Sequence, residues 1–248
     1  MAEDVPSGVP MGDISTLWTL VLRAGGAGEG LGARQELCRR YHGAATRFLR
    51  AALGDEHAAA ELGQEFAVRV LNGDLGGAAP DRGRFRDYVK GVLRHMIVDH
   101  YRRGRREVQP ASRLPEPEAP ADDPAELDRQ WVATWRQELL DRAWAGLAAV
   151  QARTGQPVYD VLRFRADHPG LRSHEMAGPL GERLGRVVTA DWVRQAIHRA
   201  RERFGEMLLA EVADTVSDPD ADALADELAD VELLQYCQAA LDRWAAGR

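Results

Sequence analysis

Basic side chains gather in one short segment of this 248-residue chain. Between residues 82 and 106 there are nine basic and two acidic residues, a local net charge of +7. Arginine binds phosphate oxygens through a planar fork of donors, and each phosphate that a base neutralises releases a counterion. The segment is therefore typical of a nucleic-acid-binding surface. Its predicted contact residues, which face outward if the apolar side is buried, are Arg84, Arg86, Lys90, Arg94, His95, Arg102 and Arg103.

A second nucleic-acid candidate lies between Ser173 and Leu209. Ser173 is expected to cap a short helix that is interrupted at Gly178-Pro179 and ends at Gly185, and Thr189 to cap a second helix. Two short helices with a Gly-containing turn, the second rich in Arg, Gln and His, form a helix-turn-helix pattern. The predicted anchors of the second helix are Val193, Ile197, Ala200 and Phe204. The side chains predicted to face a DNA groove are Trp192, Arg194, Gln195, His198, Arg199 and Arg201.

The remaining charge is acidic and is separated from these bases along the chain. Residues 107–128 hold seven acids, one base and five prolines, which predicts an extended linker and not a helix. Residues 207–242 hold ten acids and no base. The formal net charge of −7 is thus the sum of one basic and two acidic blocks, and it does not exclude a nucleic-acid partner.

Hydrophobic periodicity is helical wherever it can be read. Phe85 to Tyr101 carries apolar residues three or four positions apart over more than four turns, and no stretch alternates long enough for a strand. We predict an all-α fold of two helical bundles joined by the Pro-rich linker. The predicted units are a disordered N-terminus at 1–12, a bundle at 13–106, the linker at 107–125, a helix-turn-helix domain at 126–210 and an acidic helical extension at 211–248.

Several classes of protein do not fit the chain. We expect no signal peptide, membrane span or disulfide scaffold, and a cytoplasmic location, because no long apolar run occurs and Cys38 and Cys237 are the only cysteines. The pairs His57–Glu61, Glu61–Glu65 and His95–Asp99 have helical spacing for metal ligation, but no Glu-x-x-His motif accompanies them. No P-loop or nucleophile elbow occurs, so we predict no metal, cofactor, small-molecule substrate or catalysis.

Taken in order along the chain, these segments resemble a known family. Ala59–Phe66, Asp81–Arg86 and Val98–Arg103 resemble domain two of bacterial sigma factors, above all the extracytoplasmic-function type that is built from domains two and four. Val193–Arg201 is similar to the recognition helix of domain four. The opening segment Leu17–Ala24 resembles the start of the sigma-like proteins abundant in planctomycete-type genomes.

The resemblance implies a function and partners. Such a protein binds core RNA polymerase and directs it to promoter DNA, with the −10 element recognised by the helix at 82–103 and the −35 element by the helix-turn-helix at 173–205. The acidic linker matches the family segment that threads the active-site channel of the polymerase. The residues that match the segment docking on the coiled-coil clamp helices are Glu61, Leu62, Gln64, Glu65 and Phe66.

Some features leave alternatives open. Phe85 and Tyr88 are either core residues or DNA contacts, and the loop at 72–80 lacks the aromatic residue with which such proteins capture a base, so unaided promoter melting is not predicted. The extension at 211–248 either packs as a helix or masks the basic surfaces as an autoinhibitory segment. The alternative functions are a DNA-binding regulator or a sigma-like adaptor that does not initiate transcription. An anti-sigma partner is a further possibility.

Overall fold

The structure, a computed structural model, describes residues 17–24, 30–74, 78, 84–108, 123–216 and 219–247. These residues form ten helices and no strand, which confirms the all-α prediction. The helices are α1 (Leu17–Ala24), α2 (Gly30–Leu53), α3 (Glu56–Asn72), α4 (Phe85–Val108), α5 (Pro124–Thr154), α6 (Val158–Asp167), α7 (Ser173–Arg183), α8 (Ala190–Ala213), α9 (Ala221–Asp230) and α10 (Leu234–Ala246). The predicted disordered N-terminus and most of the predicted linker lie outside the described residues.

Helices α2 and α3 form a hairpin around a two-residue turn. Gly54 takes a left-handed conformation there, with φ at 64°. Asp55 then caps α3 by accepting hydrogen bonds from the backbone N–H groups of His57 and Ala58 at 2.8 and 3.2 Å. The Gly-Asp pair in the sequence therefore fixes both the end of α2 and the start of α3.

Aromatic side chains join α2, α4 and α5 in the larger of the hydrophobic cores. Tyr41 on α2 stacks on Trp135 of α5, with ring centroids 5.0 Å apart, and meets Phe85 of α4 edge to face at 5.1 Å. Phe48 meets Trp131 in the same way at 5.4 Å. Phe85 is fully buried, which confirms the core interpretation of that residue, whereas Tyr88 is half-buried.

Helices α5 and α8 each contribute to more than one core. The N-terminal part of α5, around Trp135, lies in the larger core, and its Leu147 lies in a smaller core with Ala200 of α8. The C-terminal part of α8, around Leu208, returns to the larger core. An α-helix rises by roughly 1.5 Å per residue, so α5 and α8 are long enough to contribute to two separate cores. The predicted domain boundaries remain predictions, but the described cores are not confined to them.

The acidic extension is part of the packed structure. Leu224 and Leu228 of α9 and Cys237 and Leu241 of α10 are buried in the same core as the aromatic stack. Helix α10 packs directly on α8, where no side chain separates Gly205 from α10. Of the described helices, none is long and apolar enough to cross a membrane.

Two glycines in helices give a stability test of the packing between α8 and α10. A Cβ at Gly205 would lie 2.9 Å from the backbone oxygen of Tyr236, whereas a Cβ at Gly91 of α4 would meet nothing within 4 Å. We expect Gly205→Ala to lower the free energy of unfolding by about 1–3 kcal/mol, because α10 must shift. The control Gly91→Ala should raise it by up to about 1 kcal/mol through helix propensity. Urea unfolding measures both, and equal effects would contradict the close contact.

Candidate nucleic-acid interface

Helices α7 and α8 occupy the segment for which a helix-turn-helix pair is predicted. Thr189 caps α8 by accepting a hydrogen bond from the backbone N–H of Trp192 at 3.2 Å, as predicted. The cap of α7 is Arg172 and not Ser173, because the Arg172 N–H donates to Glu175 at 2.6 Å one turn later. Gly185, with φ at 65°, makes the turn that follows α7.

The predicted interruption of the first helix at Gly178-Pro179 is wrong. Helix α7 runs through Pro179 without a break. Proline removes one backbone hydrogen bond from a helix, and here Met176 and Leu180 on either side of it are fully buried against α6 and α8. Packing of these two side chains compensates for the lost hydrogen bond.

The outer face of α8 carries most of the predicted groove contacts. Val193, Ile197 and Ala200 are buried, which confirms their predicted anchoring role, and Phe204 is half-buried. Arg194 pairs with Asp191 on the same helix, and His198 Nε2 lies 3.6 Å from a carboxylate oxygen of Glu202. The exposed members of the predicted set are Arg194, Gln195, His198, Arg199 and Arg201.

Trp192 does not extend into the groove-facing surface as predicted. Its ring is half-buried against the core between α6, α7 and α8. The guanidinium of Arg186 lies 4.6 Å from the centre of the ring, in a cation–π contact. The turn before α8 therefore covers this indole, and Val187 beside Arg186 is 98% exposed instead.

A basic cleft of about 460 Å³ adjoins this face, between the loop that follows α6 and the exposed side of α8. Arg165 shapes the loop, because its guanidinium donates to the backbone oxygens of His168 and Leu171 at 3.3 and 2.7 Å. Arg172 lines the same cleft together with Arg201. Arg165 and Arg172 were not among the predicted contacts, since neither lies on the recognition helix.

The first turn of α4 is an internal contact and not an open surface. Arg86 is 6% exposed, so its predicted outward orientation is wrong. Its Nη1 lies 2.7 Å from Oε1 of Glu227, which is itself 1% exposed. Arg84, about a third exposed, places Nη1 2.9 Å from the other oxygen of Glu227 and also contacts Asp230. Arg84, directly before α4, and Arg86, in its first turn, are thus paired with two acids of α9.

Burial acts on the acid of this contact. Removal from water raises the pKa of Glu227, and the neighbouring Arg86 and Arg84 guanidiniums lower it by less. A carboxylate in such a place is held by its ion pairs against the cost of desolvation.

The middle of α4 is paired with α5. Lys90 Nζ lies 3.2 Å from Oδ1 of Asp128, and Arg94 Nη1 lies 3.6 Å from the same oxygen. Both bases are partly exposed. Lys90 Nζ also lies 3.9 Å from Oδ1 of Asp87, so an external phosphate that binds these bases has to compete with two carboxylates.

The C-terminal half of α4 is the open part of the predicted surface. His95, Arg102 and Arg103 are exposed. Arg102 lies 3.6 Å from Asp99 on the same helix, and Arg103 lies 3.7 Å from Glu65 of α3. Exposed ion pairs of this kind contribute little free energy and exchange readily for a phosphate.

Helix α3 presents a different set of side chains from the one predicted for the polymerase contact. Leu62 and Phe66 are buried in the larger core and offer no surface to a partner, because they lie on the inner face of the helix. Glu61 and Gln64 are exposed, and Glu65 is half-exposed in an ion pair with Arg69 at 2.6 Å. The same outer face continues with two exposed apolar residues, Val68 and Leu71.

The carboxylate and histidine pairs considered as metal ligands do not form larger clusters. His57 Nε2 lies 3.4 Å from Glu61 Oε1, and both side chains are well exposed. Within the described ranges, no group of three or more His, Cys, Asp or Glu side chains is placed to hold a metal ion.

Sequence reasoning missed Asp128 and Glu227 as the partners of the α4 bases. A signal was present in the helical pattern: Glu227 lies among the apolar positions Leu224, Leu228 and Val231, where an acid needs a buried partner. Arg86 likewise lies one turn before the buried Val89. Val68 and Leu71 were also missed, although they follow Glu61 and Gln64 at intervals of three or four residues and so lie on the same exposed face of α3.

Comparison with known proteins adds a family. Residues 37–107, which run from α2 through α3 to the end of α4, match the family model described as Sigma-70 region 2. No curated protein and no solved structure matches the chain. The match covers 71 of the 248 residues, less than a third of the chain, and supports a relation of this segment to the sigma-70 family of RNA polymerase sigma factors. It implies interaction with core RNA polymerase and a role in promoter recognition.

The structural role of Arg86 can be separated from a role in binding. We expect Arg86→Ala to lower the free energy of unfolding by about 3–5 kcal/mol, because it leaves Glu227 buried without a charge partner. The control Arg102→Ala removes an exposed base from the same helix and should change it by less than about 0.5 kcal/mol. Urea denaturation followed by circular dichroism measures both. Equal stability of the two variants would contradict a buried ion pair at Arg86.

Proposed function

We propose that this chain is a sigma factor that binds core RNA polymerase and directs it to specific promoters. In this proposal α4 serves the −10 element and the pair α7–α8 serves the −35 element. The observation that carries the proposal is the exposed basic face of α8, which stands on a helix-turn-helix in the same chain as the region 2 match.

We further propose the extracytoplasmic-function type, with the planctomycete-like opening segment as a mark of the subfamily. Residues 108–123 separate the region 2 match from α5, and they are far too few to hold a further folded domain. The proposed domain two is therefore followed directly by the helices α5 to α8 of the proposed domain four. A cytoplasmic location follows from the proposed partners, polymerase and promoter DNA, and an anti-sigma factor would be a further partner.

The proposed polymerase contact is the outer face of α3. Glu61 and Gln64 offer polar groups, and Val68 and Leu71 add apolar area that water would leave on docking. The proposed occupant is the coiled-coil clamp of the polymerase, since a coiled coil presents charged positions beside its apolar seam. Glu65 belongs to the edge of this face, where it is held by Arg69 and Arg103.

The proposed DNA contacts divide into two kinds. Gln195 and Arg199, in the middle of the outer face of α8, are suited to read base edges in the major groove. Arg172 and Arg201 line the basic cleft and are suited to phosphates beside that groove. Trp192 is assigned a packing role.

A second candidate function is a DNA-binding regulator that acts through α8 without polymerase. The pairing of four bases, one directly before α4 and three on it, with acids of α5 and α9 favours it, because those bases are not free for a −10 element in this conformation. The four bases are Arg84, Arg86, Lys90 and Arg94. Binding to core polymerase distinguishes the two functions.

The polymerase contact is tested with a double charge substitution on α3. We expect Glu61→Arg with Val68→Arg to reduce co-purification with core RNA polymerase and run-off transcription by at least about tenfold. The reason is that two positive charges replace an acid and an apolar side chain on the proposed interface. Tyr236→Arg with Asp242→Arg changes an exposed aromatic and an exposed acid on α10 and serves as the control. A wild-type chain that never binds core polymerase would rule out the sigma-factor proposal in favour of the regulator.

The helix-turn-helix contact is tested by the salt dependence of DNA binding. We expect Arg199→Ala with Arg201→Ala to weaken binding to promoter DNA. The plot of log affinity against log salt should flatten by about 0.9 for each phosphate that the variant no longer neutralises. Arg153→Ala removes an exposed base at the end of α5 and should leave both quantities unchanged. An unchanged slope in the double variant would contradict a phosphate role, and unchanged affinity would rule out the proposed face.

A further inference from the structure

The contact between α4 and α9 has the form of a phosphate contact made by carboxylates. Glu227 directs one oxygen to each of two arginines, Arg84 at 2.9 Å and Arg86 at 2.7 Å. Asp230 contacts the same two side chains, with its Oδ2 3.4 Å from Nη2 of Arg86. A nucleic-acid backbone offers the same chemistry, that is, anionic oxygens that accept from the guanidinium fork.

The charge of α9 exceeds what a structural ion pair requires. From residue 219 to 233 the chain carries six acids and no base. A single buried carboxylate is enough to neutralise Arg86, yet Asp230 adds a second one at an exposed position beside Arg84. Arg84 is also partly open to solvent, whereas Arg86 is 6% exposed.

The turn that ends α9 is conformationally costly. Glu232 has φ at 58°, a left-handed conformation that is rare for residues other than glycine. Its carboxylate pairs with Arg136 of α5, which holds the turn in place. The segment that carries the two acids is therefore held by ion pairs to Arg86 before this turn and to Arg136 at the turn itself.

We propose that α9 is an intramolecular competitor of nucleic acid for the first turn of α4. The carboxylates of Glu227 and Asp230 occupy the guanidiniums of Arg84 and Arg86, so these ion pairs and phosphate binding at this turn exclude each other. Leu224 and Leu228 keep α9 in the core, so the competition takes place at the side chains. The affinity of the chain for a polyanion is then reduced by the fraction of molecules in which the carboxylates hold the guanidiniums. The inference rests on the proposed function only where it takes promoter DNA as the polyanion.

The competition is tested with single substitutions that leave the buried Glu227 in place. Asp230→Asn removes the exposed competing charge, and Asp226→Asn removes an equal charge one turn earlier on α9, where the described residues make no ion pair with it. The probes are heparin and a short DNA duplex of arbitrary sequence. We expect Asp230→Asn to bind both more tightly than Asp226→Asn, with a salt slope steeper by up to about 0.9, which corresponds to one more neutralised phosphate.

The effect is assigned to Arg84 by repeating the comparison in an Arg84→Ala background. We expect the difference between the two asparagine variants to disappear there, because Arg84 is the exposed one of the two bases that Asp230 contacts, while Arg86 is buried and stays paired with Glu227. A difference that persists in this background would overturn the proposal, as would equal slopes of the two variants in the wild-type background.

The double variant Glu227→Gln with Asp230→Asn, compared with Asp222→Asn with Asp226→Asn, should enlarge the difference if circular dichroism shows it folded. If it does not fold, the single substitutions decide, since Asp226 and Asp230 are both exposed. Heparin binding needs neither polymerase nor a promoter. Failure of run-off transcription would therefore count against the proposed function alone, and equal heparin slopes would count against the competition alone.

Discussion

The buried ion pair between Arg86 and Glu227 constrains much of this structure. A charge that is nearly inaccessible to water has to be paired, since desolvation costs several kcal/mol per ion. The pair attaches α9 to the start of α4, and the apolar residues around Glu227 then fill the core beside Tyr41 and Phe85. An acidic segment that is remote in sequence thereby packs in the same core as the helices of the region 2 match. Because of this ion pair, the part of the basic block at the start of α4 does not face solvent.

The second constraint is the length of α5 and α8. On α5, Trp135 packs in the larger core and Leu147 in a smaller one. On α8, Leu208 packs in the larger core and Ala200 in the smaller one. Continuous helices that reach both cores fix the helix-turn-helix relative to the region 2 helices. Under the proposed function this matters, because two promoter elements at a set spacing require two DNA-binding surfaces at a set distance.

Local features of the sequence predicted the helices but not the role of every side chain on them. The stripe from Phe85 to Tyr101 predicted α4 because apolar spacing reports on one helix alone. Arg86 lies at the edge of that stripe, and only the arrival of Glu227 decides that it is buried. Leu62 and Phe66 show the converse: the resemblance assigned them to a partner, although their own helical spacing fits the core.

The sequence by itself determined the all-α class, the cap at Thr189, the exposed face of α8 and the separation of basic and acidic blocks. These depend on neighbours within a turn or two of each other. The tertiary structure alone decided which bases of the basic block are free. Arg86 is paired across the fold by an acid of α9, far away in the chain, whereas Arg102 keeps an exposed place near Asp99. The physical reason is that burial of a charge depends on contacts between distant segments, which no local pattern records.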